Sequence, residues 1–230
     1  MGAVTVPSRL LALAEDVAGA YAGFPQVAGI ALSGSATTGL AGAESDVDLY
    51  VYTKAPIPVA ARISIVAPRA ARADIAITFW EPGDEWVEAG SGMGADVMLR
   101  DVAWIEGELD RVLRRHAPSV GYSTAIWHNV RTSHPLFDRD GWLAGLLALA
   151  GAPYPEPLRT AIIAHNHPIL RSTVSSYRRQ IEKAAARSDW NSIAHRVAAL
   201  LASYWDILFA VNRQTHPGEK RLVELAERWC

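Results

Sequence analysis

The sequence predicts an α/β (α+β) protein, with a small mixed sheet in the first hundred residues and a bundle of helices after it. Two observations carry this. Short apolar or alternating runs bounded by turn residues fall at 27–32, 46–52, 74–80 and 95–100, which is how strands read. Beyond about residue 101, apolar positions recur at helical spacing instead. Half of the 230 residues are hydrophobic and a fifth are charged, an ordinary balance for a globular chain that buries one large core or two small ones.

Taken in order, Pro7-Ser8 opens a helix with Leu10, Leu11, Ala14, Val17, Ala18 and Tyr21 at helical spacing, and Phe24-Pro25 ends it. Val27–Leu32 is a buried strand that runs into a tight turn at Ser33-Gly34-Ser35. From Asp46 to Tyr52, Asp46, Asp48 and Tyr50 share one face and Val47, Leu49 and Val51 the other. Residues 59–72, rich in Ala and Arg, predict a helix. Asp74 to Trp80 alternates, Pro82-Gly83-Asp84 predicts a turn, Glu85–Glu88 a returning hairpin strand, and Ala95–Arg100 a further strand. Helices are then expected at 104–116, 123–131, 139–150, 156–187, 189–213 and 218–228. Ser188 or Asp189 would cap the fifth of these, which carries a broad apolar stripe. The expected division is a domain over 1–103 and a helical domain over 104–230.

The chemistry concentrates in Leu32-Ser33-Gly34-Ser35-Ala36-Thr37-Thr38-Gly39, followed by Ser45-Asp46-Val47-Asp48-Leu49. Gly34 lets the backbone approach phosphate oxygens with no Cβ in the way. Ser35 offers a hydroxyl and an N–H at an expected helix start, where anions are favoured. Asp46 and Asp48 project side by side from one strand. Their hard oxygens suit Mg²⁺, with phosphate and water completing its shell. Two such ions can bridge the attacking and leaving oxygens of an in-line displacement.

This pattern resembles the signature of the polymerase-β-type nucleotidyltransferase superfamily: an apolar strand, Gly-Ser, a gap of about ten, then Asp–apolar–Asp–apolar, covering residues 29–51. The order of the two expected domains resembles the aminoglycoside and lincosamide nucleotidyltransferases. Phe79–Trp86, Gly121-Tyr122-Ser123-Thr124 and His216-Pro217-Gly218-Glu219-Lys220 also look like segments of a bacterial family of nucleotidyltransferase-like proteins, a resemblance that implies no particular substrate. The superfamily resemblance implies two Mg²⁺ ions on Asp46 and Asp48, with ATP or another nucleoside triphosphate as donor. It implies transfer of a nucleoside monophosphate to a hydroxyl. A third acid is implied on a later strand; Asp96, which follows the hairpin, is favoured over Asp74. Many members carry a basic residue after Gly-Ser, whereas this chain has Thr37 and Thr38, which bring hydrogen-bond donors but no charge. Lys220 is a candidate to reach the triphosphate from the helical half. Tyr122 and Ser123 are candidates to shape the acceptor pocket.

Composition narrows the partners. A net charge of −2 and no long Lys/Arg run argue against a long nucleic-acid partner and permit the small hydroxyl-bearing acceptor expected on the resemblance. Nucleotidylation of a protein or RNA, and a non-catalytic nucleotide-binding module, are the alternatives. Cys230 is the one cysteine, so no disulfide forms within the chain, which fits a reducing cytoplasm. The first nine residues lack a basic segment leading into an apolar one, so no signal peptide is expected. No uninterrupted run of 18 apolar residues occurs, so no membrane span is expected. His165 and His167 are two apart, which on a helix sends them to different faces and suits surface roles, as for His195.

Overall fold

The computed structural model describes residues 6–42, 45–79 and 81–230. Its elements run α1 (Ser8–Ala22), β1 (Val27–Ser33), α2 (Ser35–Thr38), β2 (Val47–Thr53), α3 (Val59–Val66), β3 (Ala70–Ile77), β4 (Gly83–Glu88) and β5 (Gly94–Asp101). Then follow α4 (Val102–Leu113), α5 (Ala125–Thr132), β6 (His134–Asp138), α6 (Trp142–Ala150), α7 (Glu156–Arg171), α8 (Tyr177–Ala186), α9 (Trp190–Val211) and α10 (Leu222–Trp229). Two compact units result. The first comprises residues 1–107 and 129–151; the second comprises 108–128 and 152–230. The chain thus returns to the first unit after the boundary expected near residue 103.

The first unit is built on a mixed six-stranded sheet in the order β3-β4-β5-β2-β1-β6. β2 and β5 are parallel; every other pair is antiparallel. A parallel pair needs a long crossover, here supplied by α3, β3 and β4 between the two strands. β1 is buried at every position and β2 at all but Asp48. α1 covers them with Leu10, Ala14, Val17, Ala18 and Tyr21, spaced for one helical face. Tyr21 also reaches the sheet's polar interior. Its hydroxyl donates to Asp84 Oδ2 at 3.2 Å, and Arg62 Nη1 donates to Asp84 Oδ1 at 2.7 Å. Burial and the Asp84 charge push the Tyr21 phenol well above its ordinary range.

Four local expectations are corrected. The helix expected over 59–72 stops at Val66, and β3 begins at Ala70, because its backbone pairs with β4. Trp80, the last residue of the strand expected there, lies outside the described residues. Asp84 was expected in a turn but sits inside β4, fully buried. β6 was not expected at all: it pairs with the outer side of β1, where Pro135 is tolerated because it sits on an edge strand. Finally, the helix expected over 156–187 is two helices, broken at 172–176.

In the second unit, α9 packs along α7 and α8. Asp189 caps it by accepting from Ser192 N, as the sequence predicts. At 22 residues it is also, among the described residues, the one helix long and apolar enough to cross a membrane by length and composition alone. It nevertheless carries the buried Asp206, whose carboxylate accepts from Ser123 N at 2.9 Å and Ser123 Oγ at 2.6 Å.

Candidate active site

The first unit gathers the sequence motif at one end of β1, β2 and β5. Strand pairing is the cause. Ser33 pairs with Asp48, Asp48 with Asp96, Asp96 with Glu85, and Glu85 with Asp74. Paired residues share a face, so these side chains form one row across five strands. At a strand spacing of about 4.8 Å, Asp96 is one strand from Asp48, whereas Asp74 is three strands away, about 14 Å. Asp74 stands on the edge strand beside Arg72, their charged groups 3.8 Å apart. Strand order therefore sets Asp96 beside Asp48, with Asp46 two residues before Asp48, and leaves Asp74 out. Glu85, read from sequence as part of a turn and its returning strand, lies next to Asp96 in the row and is exposed. The alternation of Asp84, Glu85 and Trp86 is the signal that could have found it.

Two glycines make room for the carboxylates. A Cβ on Gly34 would lie 1.8 Å from Asp48 Oδ2, and one on Gly94 would lie 2.2 Å from Asp46 Oδ1. Gly34 has φ 67° and ψ −150°, a region open essentially to glycine alone. The space that a Cβ would take at Gly34, expected to admit phosphate, already has an Asp48 oxygen against it.

The turn after Gly34 is short. α2 has four residues. Ser35 Oγ donates to Ser45 Oγ at 3.1 Å, and Ser45 Oγ accepts from Gly42 N at 2.8 Å. Thr37 Oγ1 donates to the Gly34 carbonyl, and Thr38 Oγ1 to the Gly34 and Ser35 carbonyls. These hydroxyls brace the turn, so as placed their protons are directed to the backbone. Arg9 of α1 reaches the loop that follows this turn, where its Nη2 donates to the Gly42 carbonyl at 2.8 Å.

Behind the carboxylates the same face continues through Tyr50 and Arg100. The Arg100 guanidinium lies 3.5 Å from the centre of the Tyr50 ring and makes two bonds to Glu81, at 2.7 and 2.8 Å. Burial opposes the Arg100 charge, but the Glu81 carboxylate outweighs it and holds the group protonated. Burial also raises the Tyr50 phenol, with Arg100 opposing. The pair forms a rigid, charge-neutral backing.

Among the described residues, no three His, Cys, Asp or Glu side chains converge tightly enough to hold an ion alone. The donor set is carboxylate oxygen, which suits a hard cation whose remaining positions come from phosphate and water. Asp46 and Asp48, each seated over a glycine, fit that description.

The second unit holds the other singled-out residues. Tyr122 has a positive φ of 53°. Its ring packs 4.7 Å from that of His216, and Thr124 Oγ1 accepts from His216 N. Gly121 N donates to Asn166 Oδ1, and Asn166 Nδ2 donates to Asp206 Oδ2. The two segments singled out in sequence, 121–124 and 216–220, therefore meet within this unit through Tyr122, Thr124 and His216, and the first of them is held by Asp206 and Asn166, neither of which stands out in the sequence. Lys220 is exposed and precedes α10. His165, His167 and His195 are exposed.

Residues 20–117 match the family model for the nucleotidyltransferase domain. Among solved structures, a nucleotidyltransferase-like protein from Exiguobacterium sibiricum aligns with 91% of this chain and 59% of its own, at 15% identity and a TM-score of 0.44. This chain thus spans about three fifths of that protein's length. No curated protein matches the chain.

Proposed function

We propose, from the match of residues 20–117 to the nucleotidyltransferase domain model, that this chain is a transferase of the polymerase-β type that moves adenylate from ATP to a hydroxyl of a small acceptor and releases pyrophosphate. The observation that carries the reading is the in-register pairing of Asp48 with Asp96 on adjacent parallel strands, with Asp46 two residues before Asp48.

Each residue then has a role. Asp46 and Asp48 would hold two Mg²⁺ ions, with Asp96 completing one site. Such ions, when bound, neutralise phosphate charge and steady the attacking and leaving oxygens. Gly34 and Ser35 present backbone N–H groups to the triphosphate, and Thr37 and Thr38 fix that turn. The acceptor oxygen forms a bond to the α-phosphorus as the bond to the β-bridging oxygen breaks. Pyrophosphate leaves with that electron pair, and the acceptor's proton passes to the Asp96 carboxylate. Positioning and charge neutralisation supply most of the acceleration in such transfers. In this reading the helical unit binds the acceptor, and Lys220 adds charge toward the triphosphate.

Calorimetric titration of ATP, with and without Mg²⁺, into wild type and Asp48→Asn tests the reading. Metal-dependent binding that weakens at least tenfold in the variant is expected. Equal ATP affinity with and without metal, or in both proteins, would sink the assignment. Unchanged affinity in Lys220→Ala would remove that lysine from it.

A further inference from the structure

The second unit carries a groove of about 500 Å³ lined by Arg171 at the end of α7 and by Arg178, Arg179, Glu182, Lys183 and Ala186 of α8. Arg178 is paired with Glu182 at 2.8 Å. Arg171, Arg179 and Lys183 make no ion pair among the described residues. Three uncompensated positive charges therefore share one groove of a chain whose net charge is −2.

Two of the groove's cations, Arg178 and Arg179, run against the helix that carries them, whereas Arg171 and Lys183 stand in last turns, where the dipole favours them. α8 begins after its N-cap Ser176 and has no acidic residue in its first turn. Arg178 and Arg179 occupy that turn, at the positive end of the helix dipole, where anions are favoured and cations are not. Arg179 and Lys183 are also a like-charge pair four residues apart, which further weakens a helix. Local rules broken together at one place point to a function that offsets the loss, and a bound anion relieves every one of these repulsions.

The groove is open and follows α8, which at 10 residues is about 15 Å long. That length accommodates consecutive phosphates of a chain better than one compact anion. Four residues along the chain from Ala186, the first residue of α9 is Trp190, 74% exposed, an unusual state for so large an apolar ring. Cations followed closely in the chain by an exposed aromatic ring are the elements that bind single strands: phosphates pair with the cations and a base stacks on the ring.

We infer that this groove binds a single-stranded nucleic acid, with Arg171, Arg179 and Lys183 on successive phosphates and Trp190 as a stacking platform. The inference stands apart from nucleotidyl transfer and holds whether or not catalysis occurs; where both hold, a nucleic-acid strand joins the classes of acceptor. The cations form no contiguous basic run in the sequence; they are spaced over helical turns and a bend.

The test is fluorescence anisotropy of a labelled 15-nucleotide single-stranded RNA with the full chain. Wild type is expected to bind with a log–log salt slope of about −2, as three neutralised phosphates require. Arg179→Glu/Lys183→Glu is expected to weaken binding at least tenfold and flatten the slope. Arg114→Glu/Arg115→Glu, which changes the net charge equally elsewhere in this unit, is expected to change it less than twofold. Trp190→Ala is expected to weaken binding severalfold with the slope unchanged. Circular dichroism confirms that each variant folds. Equal losses in the two double-charge variants would reduce the effect to net charge and overturn the proposal. Tripolyphosphate binding as tightly as RNA, with no effect of Trp190→Ala, would also overturn it and assign the groove to a compact polyphosphate.

Discussion

At the scale of single residues, the candidate site depends on what two glycines leave out. Gly34 is required twice, by a backbone conformation closed to other residues and by an Asp48 oxygen where its Cβ would be. Gly94 has φ in the ordinary range, so only the Asp46 oxygen constrains it. The two positions therefore separate strain from carboxylate displacement. Gly34→Ala is expected to lower stability by about 1–3 kcal/mol from backbone strain and to lose metal-dependent ATP binding. Gly94→Ala is expected to weaken ATP binding while costing less stability, since Asp46 is exposed and can swing away. Urea unfolding and calorimetry on the same samples check both; an unperturbed ATP affinity in Gly94→Ala would show that Asp46 does not work from its place over β5. Gly34, Asp46 and Asp48 were legible in the sequence because their spacing is local. The companion role of Gly94 was not, since 48 residues separate it from the Asp46 that it faces.

At the scale of elements, strand order decides which carboxylates can act together. Alternation found β2 and β5, but only pairing shows that they are parallel neighbours with Asp48 opposite Asp96. Asp74, also at a strand's polar position, is stranded on the far edge. Asp96→Asn is accordingly expected to reduce nucleotidyl transfer by two orders of magnitude or more, in keeping with loss of a positioned base, while Asp74→Asn stays within about twofold of wild type. A pyrophosphate-release assay with a responsive acceptor measures both; the reverse ranking would move the third acid to the edge strand. The sequence misread elements where tertiary pairing overrode local preference. Ala70, Ala71 and Arg72 favour a helix, yet β4 draws them into a strand. β6 is five residues with a proline, too short for a pattern, and is held by β1 on one side and by Asp138, which accepts from Leu143 N and Ala144 N at the start of α6. The break between α7 and α8 carries no glycine. It falls in Ser172-Thr173-Val174-Ser175-Ser176, where short hydroxyl side chains favour turns, while Pro168 sits unbroken inside α7.

At the scale of the whole molecule, two buried ionisable groups set how stability responds to pH, and they pull in opposite directions. Burial is the main cause in both. It raises Asp206 to about 6, against hydrogen bonds from Ser123 and the charge of Arg111. It lowers His216 to about 4, helped by His128. Folded Asp206 holds its proton more tightly than the unfolded chain does, so its contribution is fully present below pH 3.8 and is lost as pH rises through 6. Folded His216 resists protonation, so its contribution is fully present above pH 6.5 and is lost as pH falls through 4. Each difference corresponds to about 3 kcal/mol, over nearly the same window, so in wild type the two slopes largely cancel. Removing either should uncover the other. Asp206→Asn is expected to lose stability, relative to wild type, as pH falls from 6 toward 3.8. His216→Gln is expected to gain it, relative to wild type, as pH falls from 6.5 toward 4. Carboxylates held low by partners, such as Glu156 beside Arg159 and Arg213, add an acid loss common to all three proteins, which subtraction removes. Urea unfolding at half-unit pH steps gives the difference curves. Opposite slopes would confirm that the Asp206 and His216 charges are buried in the folded state; parallel curves would mean that water reaches both groups and that the segments they hold, 121–124 and 216–220, open together.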